Sequence, residues 1–204
     1  LKDAIVHGLR DTAGTLARAA LQQTAPLELI DTQIVPALDD VGRGFEAKTV
    51  YLPQLLMSAD AASAAFDAVK EVLQATASDT PPRGPIILAT VQGDIHDIGK
   101  NIVKVLLENY SFQVLDLGRD VPPEAIVEAA QAHHAKLVGL SALMTTTVPS
   151  MEKTIRLLRG AGCDCRVMVG GAVLTQEYAD QIGADFYGKD AMQSVRYAET
   201  LFGT

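Results

Sequence analysis

Beyond Pro85 the sequence alternates short apolar runs with amphipathic stretches, five times over within about 120 residues. Strands separated by helical crossovers pair in parallel, so this alternation predicts a doubly wound α/β sheet. The strands are read as Ile86 to Val91, Gln113 to Leu117, Leu137 to Ser141, Arg166 to Val169 and Asp185 to Tyr187. Helices are expected to begin near Ile98, Pro122, Val148, Thr175 and Asp190. Five repeats of this length fit a flavodoxin-like domain with a five-stranded parallel sheet.

The preceding segment follows a different pattern. Two short helices are expected over Lys2 to Leu9 and Asp11 to Gln23. A third follows Pro26 through Leu27, Ile30, Ile34, Leu38 and Val41, until Gly42 and Gly44 weaken it. A fourth covers about Leu52 to Leu73, with Leu55, Leu56, Ala59, Ala62, Phe66, Val69 and Leu73 at helical spacing. Short loops between four helices imply an antiparallel bundle. The run TASDTPPRGP (Thr76 to Pro85) suits neither a helix nor a central strand and reads as an interdomain linker and hinge. The expected organisation is therefore a four-helix bundle over residues 1–80 and a flavodoxin-like domain over residues 81–204.

Composition narrows the function classes. With 48% hydrophobic and 21% charged residues, the chain buries a real core and is not disordered. It has no apolar run long enough for a membrane span and no basic-then-apolar leader, so a cytoplasmic protein without a membrane partner is expected. The start at Leu1 rather than Met is expected of a piece of a larger protein or of the remainder of a tagged one. Seventeen Lys plus Arg against 25 Asp plus Glu, a net charge of -8, disfavour nucleic acid. Cys163 and Cys165, one residue apart, read as reduced thiols in a helix-to-strand loop.

In a flavodoxin-like sheet of order 2-1-3-4-5, ligands bind where the chain reverses direction, at the carboxyl ends of strands 1 and 3. The loop after strand 1 is Gln92-Gly93-Asp94-Ile95-His96-Asp97-Ile98-Gly99-Lys100-Asn101, and the loop after strand 3 is Ser141-Ala142-Leu143-Met144-Thr145-Thr146-Thr147. His96 can ligate a metal through one ring nitrogen while Asp94 accepts the proton of the other. Histidines 7, 133 and 134 lack such a setting and are expected on the surface. Strand 3 ends without the Asp of a phosphoacceptor, and strand 1 is not followed by a Ser/Thr-rich flavin phosphate loop. A hydrolytic metal site built from Asp94, His96 and Asp97 stays open as an outsider.

The run GDIHDIGKNIV (Gly93 to Val103) resembles the D-x-H-x-x-G motif of cobalamin-binding domains, and Ser141-Ala142-Leu143 and Gly170-Gly171-Ala172 resemble that family's two further segments. The bundle is similar to the helical cap preceding this domain in cobalamin-dependent methionine synthases and related corrinoid methyltransferase proteins, through VGRGFEAKTVYLPQLLMSA (Val41 to Ala59). The resemblance spans nearly the whole chain.

It implies a cobalamin cofactor, methylcobalamin in the loaded state, with His96 as the axial ligand of cobalt and Asp94 and Thr147 forming a relay behind it. Gly93, Ile95 and Asp97 belong to the same motif, and Gly99, Gly170 and Gly171 would leave room for the detached nucleotide tail. Ser141, Leu143 and Thr145 would line the tail's channel, and Ala191 would meet its end. Phe45 and Leu52 would cover the upper corrin face, and Asp31 would touch its periphery, while Tyr51 stands where a Phe is common. The function implied is a methyl carrier cycling between cob(I)alamin and methylcob(III)alamin, incomplete as a catalyst alone. Its partners would be methyl-donor and methyl-acceptor methyltransferase domains or subunits and a reductive reactivation partner. The first expectation is the cobalamin module of a methionine synthase, favoured by the ending YGKDAMQSVRYAE; the alternative is a free-standing corrinoid protein for methanol, methylamine or aryl-ether methyltransferases.

Overall fold

The computed structural model describes residues 1–75 and 82–203, and the chain falls into two compact units, Leu1–Thr76 and Ala77–Thr204. The first is helical: α1 (Lys2–Val6), α2 (Arg10–Ala20), α3 (Pro26–Leu29), a π-helical turn (Ile30–Ile34), α4 (Val35–Glu46) and α5 (Leu52–Ala75). α2 and α5 meet along small side chains, with Ala13, Ala17, Ala61, Ala65 and Ala68 all buried. A Cβ on Gly14 would lie 3.6 Å from the Ala64 carbonyl oxygen, so this seam brings the helix backbones close. Ion pairs Arg10–Asp60 (3.3 Å) and Arg18–Glu71 (3.1 Å) span the same helices on the exposed side, where solvent screens them and they add little to stability.

Two expectations for this unit need correction. The third helix does not weaken at Gly42 and Gly44 but runs to Glu46, and its irregularity lies earlier, in the π turn. Pro36 follows that turn; lacking an N–H, it cannot serve an α ladder, and the wider turn takes up the break. Leu56, expected on the buried face of the fourth helix, is 60% exposed; the buried side is built from Ala62, Phe66, Val69 and Leu73.

The second unit alternates β1 (Arg83–Thr90), α6 (Ile98–Asn109), β2 (Phe112–Asp116), α7 (Pro123–Ala132), β3 (Leu137–Ser141), α8 (Val148–Gly160), β4 (Arg166–Gly170), α9 (Gln176–Gln181), β5 (Phe186–Gly188) and α10 (Ala191–Phe202). The sheet is parallel throughout, in the order β2-β1-β3-β4-β5. Ile87, Ala89, Val91, Val138, Leu140, Val167 and Val169 pack on one face with Ile126 of α7 and Met151, Ile155 and Leu158 of α8. The alternate residues face the layer of α6 and α10.

Residues 76–81 of the expected linker lie outside the described residues, and its end is not linker. β1 begins at Arg83, whose N–H donates to the Ser111 carbonyl (2.7 Å) and whose guanidinium lies 4.3 Å from the Phe112 ring centroid. Pro85 falls where the β1–β2 register is interrupted between Arg83 and Ile86, a position that needs no donor. Cys163 and Cys165 are free in the α8–β4 loop, and His7, His133 and His134 are exposed. Among the described residues no helix is long and apolar enough to cross a membrane.

Candidate functional site

β1 and β3 are neighbours, and at their carboxyl ends the chain leaves toward opposite faces of the sheet. After β1, Gly93 turns at φ +87° and Asp94 is drawn inward, its N–H donating to the Val91 carbonyl (3.0 Å). Asp94 is fully buried. Its Oδ1 accepts from the His96 backbone N–H (3.0 Å) and lies 2.8 Å from His96 Nδ1. Its Oδ2 accepts from the backbone N–H groups of Leu143 (2.7 Å) and Met144 (3.2 Å) and from the Thr147 hydroxyl (2.9 Å). The hydroxyl also lies 2.8 Å from the Met144 carbonyl, but its one proton favours the ionised acceptor.

Burial pushes the Asp94 carboxyl up, yet the hydrogen bonds from the His96 backbone, Leu143, the His96 ring and Thr147 outweigh it and hold the pKa at about 2. An ionised carboxylate only accepts, so Nδ1 of His96 carries the proton and donates it to Asp94. The Nε2 lone pair is thereby left available, on a side chain that is 46% exposed. The tautomer follows from the carboxylate.

Sequence reasoning missed three supports of this loop. Asp120, in the left-handed region at φ +55°, accepts from the Gly93 N–H (2.7 Å) and donates its own N–H to the Asp94 carbonyl (2.9 Å). In the first turn of α6, the Lys100 ammonium is almost wholly buried and donates to Asp116 (2.6 Å) and to Asn101 (2.8 Å). Lys104 (3.2 Å) and the Gly118 N–H (2.9 Å) complete the set around Asp116; burial raises that carboxyl, but these donors together hold it below its usual range. The Leu143 and Met144 amides leave no mark in residue type, and the burial of Lys100 is not visible in the sequence.

The other expected site residues fall into three groups. Ile95 (61%) and Leu143 (41%) are exposed apolar side chains of the two loops, Thr145 is exposed, and Asp97 sits half-buried at the start of α6 with no side-chain cap bond. Gly99 and Gly170 are open: a Cβ on Gly99 would meet nothing within 4 Å, and one on Gly170 only the Gly188 carbonyl oxygen at 3.5 Å. Gly171 differs, because at φ +141° its Cβ would lie 1.8 Å from the Ala142 carbonyl oxygen. Its glycine is explained by close packing of the β4–α9 turn on the β3–α8 loop. Ser141 ends β3 and Ala191 begins α10. Phe45 (42% exposed), Leu52 (55% exposed) and the exposed Asp31 lie in the helical unit and are not part of its core.

Among the described residues no three His, Cys, Asp or Glu side chains gather to hold a metal, and Asp94 is already saturated, so the hydrolytic site of Asp94, His96 and Asp97 is not assembled. One exposed imidazole with a fixed lone pair, amid apolar side chains and open glycines, fits a metal that brings its other ligands in a macrocycle.

Residues 84–196 match the family described as B12 binding domain, and residues 1–70 match a second family of the same description. The chain is 40% identical over 203 residues to the dimethylamine corrinoid protein of Methanosarcina barkeri, covering 98% of this chain and 95% of that one. The structure of the Methanosarcina barkeri monomethylamine corrinoid protein superposes with a TM-score of 0.90 at 32% identity, over 97% of this chain and 94% of the other. A chain of the methanol:cobalamin methyltransferase complex MtaBC of the same organism is 31% identical, with a TM-score of 0.58 over all of this chain and 78% of that one. With its fold, its two family matches and this similarity along nearly its whole length, the chain belongs to the B12-binding family and stands close to the corrinoid proteins of methyltransferase systems.

Proposed function

We propose that the protein is a free-standing corrinoid methyl carrier serving a methyltransferase system for methylated amines. The observation that carries the corrinoid reading is the His96–Asp94 pair: one imidazole, its tautomer set by a buried carboxylate, aimed outward at the switch point of the sheet. The comparisons favour this alternative over the methionine synthase module first expected. Relatives similar over nearly their full length bear methylamine names.

When bound, the corrinoid supplies a cobalt centre that takes a methyl group from a donor and yields it to a thiolate. The residues of this chain hold and orient. Nε2 of His96 would hold the cobalt, and Asp94 keeps the proton on Nδ1, so the ring presents a lone pair in one orientation. Thr147 and the Leu143 and Met144 amides keep Asp94 ionised, which makes the imidazole a stronger donor than a free histidine. Ile95 and Leu143 offer apolar contact to a macrocycle, and Ser141, Thr145, Gly99 and Gly170 are assigned to its nucleotide tail, with Ala191 at the tail's end. Phe45, Leu52 and Asp31 of the helical unit are assigned to the cofactor by resemblance alone. Partner subunits bring the donor and the acceptor.

The test is reconstitution of the intact chain with cobalamin in the Co(II) state. Nitrogen hyperfine splitting in EPR is expected in the wild type and absent in His96→Ala; splitting retained in the variant overturns the ligand assignment. Methyl loading with methyltransferases for mono-, di- and trimethylamine, against methyltetrahydrofolate as the synthase control, separates the two functional readings.

A further inference from the structure

Asp94 anchors the ring of His96, and a second aspartate holds the backbone beneath it. The segment Gly93–Asp94 is bonded at both ends to the single residue Asp120. Oδ1 of Asp120 accepts from the Gly93 N–H (2.7 Å), and its own N–H donates to the Asp94 carbonyl (2.9 Å). With two bonds to one residue, the segment can neither slide nor swing about a single point. Gly93 is also closed in from another side, since a Cβ there would lie 3.4 Å from Thr147 Cγ2, and Thr147 itself bonds Asp94.

The residue that makes this clamp is itself firmly placed. After it, the Val121 N–H donates to the Thr90 carbonyl (3.1 Å), and Val121 continues the parallel pairing opposite Val91. Before it, the Gly118 carbonyl accepts from the Thr90 N–H (2.9 Å), and the Gly118 N–H donates to Asp116 (2.9 Å). Asp116 in turn is held by the buried Lys100 ammonium. Between these anchors Asp120 stands at φ +55°, in the left-handed region. Glycine would occupy that conformation without strain, so what an aspartate adds there is its acceptor for Gly93. An uncommon backbone conformation, paired with a side chain that has one specific partner, points to a purpose beyond turning the chain.

We propose that Asp120 is a positioning residue for His96: by pinning the backbone on which the imidazole stands, it sets how strongly Nε2 holds the metal. The proposal rests on the corrinoid reading above and deepens it. Asp94 fixes the proton and the orientation of the ring, whereas Asp120 fixes the place of the loop that bears it. Without the Asp120 carboxylate, the Gly93 N–H loses its acceptor and the segment hinges on Asp94 alone. The loop then spreads over positions of which only a fraction present Nε2 to the metal, and ligation weakens. The corrinoid itself stays bound, because one loop's backbone is a small part of what encloses a ligand of that size.

The test loads the intact wild-type chain and the variants Asp120→Gly, Asp120→Ala and Asp120→Asn with cobalamin, and measures the Co(II)/Co(I) midpoint potential by spectroelectrochemical titration. Co(I) takes no axial ligand, so histidine ligation stabilises Co(II) alone, and each tenfold weakening raises the potential by about 59 mV. Glycine keeps the left-handed turn and loses the acceptor, alanine loses both, and asparagine keeps both. Loss of one charge-assisted hydrogen bond sets the scale at about tenfold, so the glycine and alanine variants should rise by about 60 mV. Asparagine should change ligation by less than about twofold, or about 20 mV. Glycine adds backbone freedom and alanine adds strain, so a rise common to both belongs to the missing carboxylate. In the cofactor-free chain, the Gly93 amide should exchange faster in both variants than in the wild type. If the alanine variant does not fold, glycine against asparagine carries the comparison. A lowered melting temperature with an unchanged potential, or an asparagine variant that rises as far as glycine, overturns the proposal and leaves the corrinoid reading intact. A loaded wild-type chain without nitrogen splitting from His96 overturns that reading and this proposal with it.

Discussion

Asp94→Asn removes one charge and keeps the shape of the side chain, and its effect can be worked through from the hydrogen bonds around it. The fall of the carboxyl from its ordinary 3.8 to about 2 corresponds to about 2.5 kcal/mol in favour of the ionised, folded form, at roughly 1.4 kcal/mol per pKa unit. An amide has one acceptor oxygen, whereas donors approach Asp94 from both sides: His96 at Oδ1, and Leu143, Met144 and Thr147 at Oδ2. Whichever way the amide turns, its NH2 faces a donor. The expected cost at pH 7 is about 2 to 4 kcal/mol, or a fall of about 5 to 12 °C in the melting temperature of the sheet unit. Because the folded pKa lies below the unfolded one, this stabilisation is complete above about pH 4 and is lost as pH falls through about 2. Denaturant melts followed by circular dichroism should therefore show a gap between wild type and variant that is full at neutral pH and narrows in acid. Nitrogen-15 NMR of His96 should show the proton on Nδ1 in the wild type. Equal stability at pH 7, or a gap independent of pH down to about 2.5, would refute the reasoning.

Gly171→Ala should be among the most damaging substitutions outside the histidine loop, since its Cβ would meet the Ala142 carbonyl oxygen at 1.8 Å; soluble expression and melting temperature check it, and a normal melt would mean that the β4–α9 turn moves freely. Lys100→Met should destabilise the sheet unit by about 1 to 3 kcal/mol, with faster amide exchange in the first turns of α6, because Asp116 keeps only Lys104 and the Gly118 N–H; unchanged exchange there counts against the brace. Phe45→Ala and Leu52→Ala should each shift the stability of the cofactor-free chain by less than about 1 kcal/mol, as both side chains are already largely exposed, whereas a loss of about 3 kcal/mol in thermal melts would place them in the core.

Most of the sheet unit was legible because parallel strands buried on both faces must be apolar runs, and the helices between them carry their own period. β3 has the bounds read from the sequence, and α6 and α8 begin at the expected residues. The start of β1 was hidden by Pro82 and Pro85, which mimic a linker in composition although Arg83 is already paired. The π turn was invisible because Ile30 and Ile34 keep helical spacing through it. At the site, His96 and Asp94 announced themselves by residue type and location. The Leu143 and Met144 amides did not, since any residue but proline supplies an N–H. Nor did Asp120, whose role depends on a left-handed backbone that its sequence context does not reveal. The choice between a synthase module and an amine-system carrier lay beyond the motif, because the holding of a corrinoid demands the same residues in both.

The two oxygens of Asp94 are committed to different loops, one to the turn that carries His96 and the other to the turn that opens α8. A carboxylate is a stiff, planar unit, so it acts as a mechanical yoke between them. From the imidazole the contacts run through Oδ1 and Oδ2 to the amide of Leu143 and the hydroxyl of Thr147, the residue preceding α8. That helix is thirteen residues long and carries Lys153 and Arg156 on the protein surface. The orientation of the imidazole and the start of α8 are thus fixed by one and the same carboxylate.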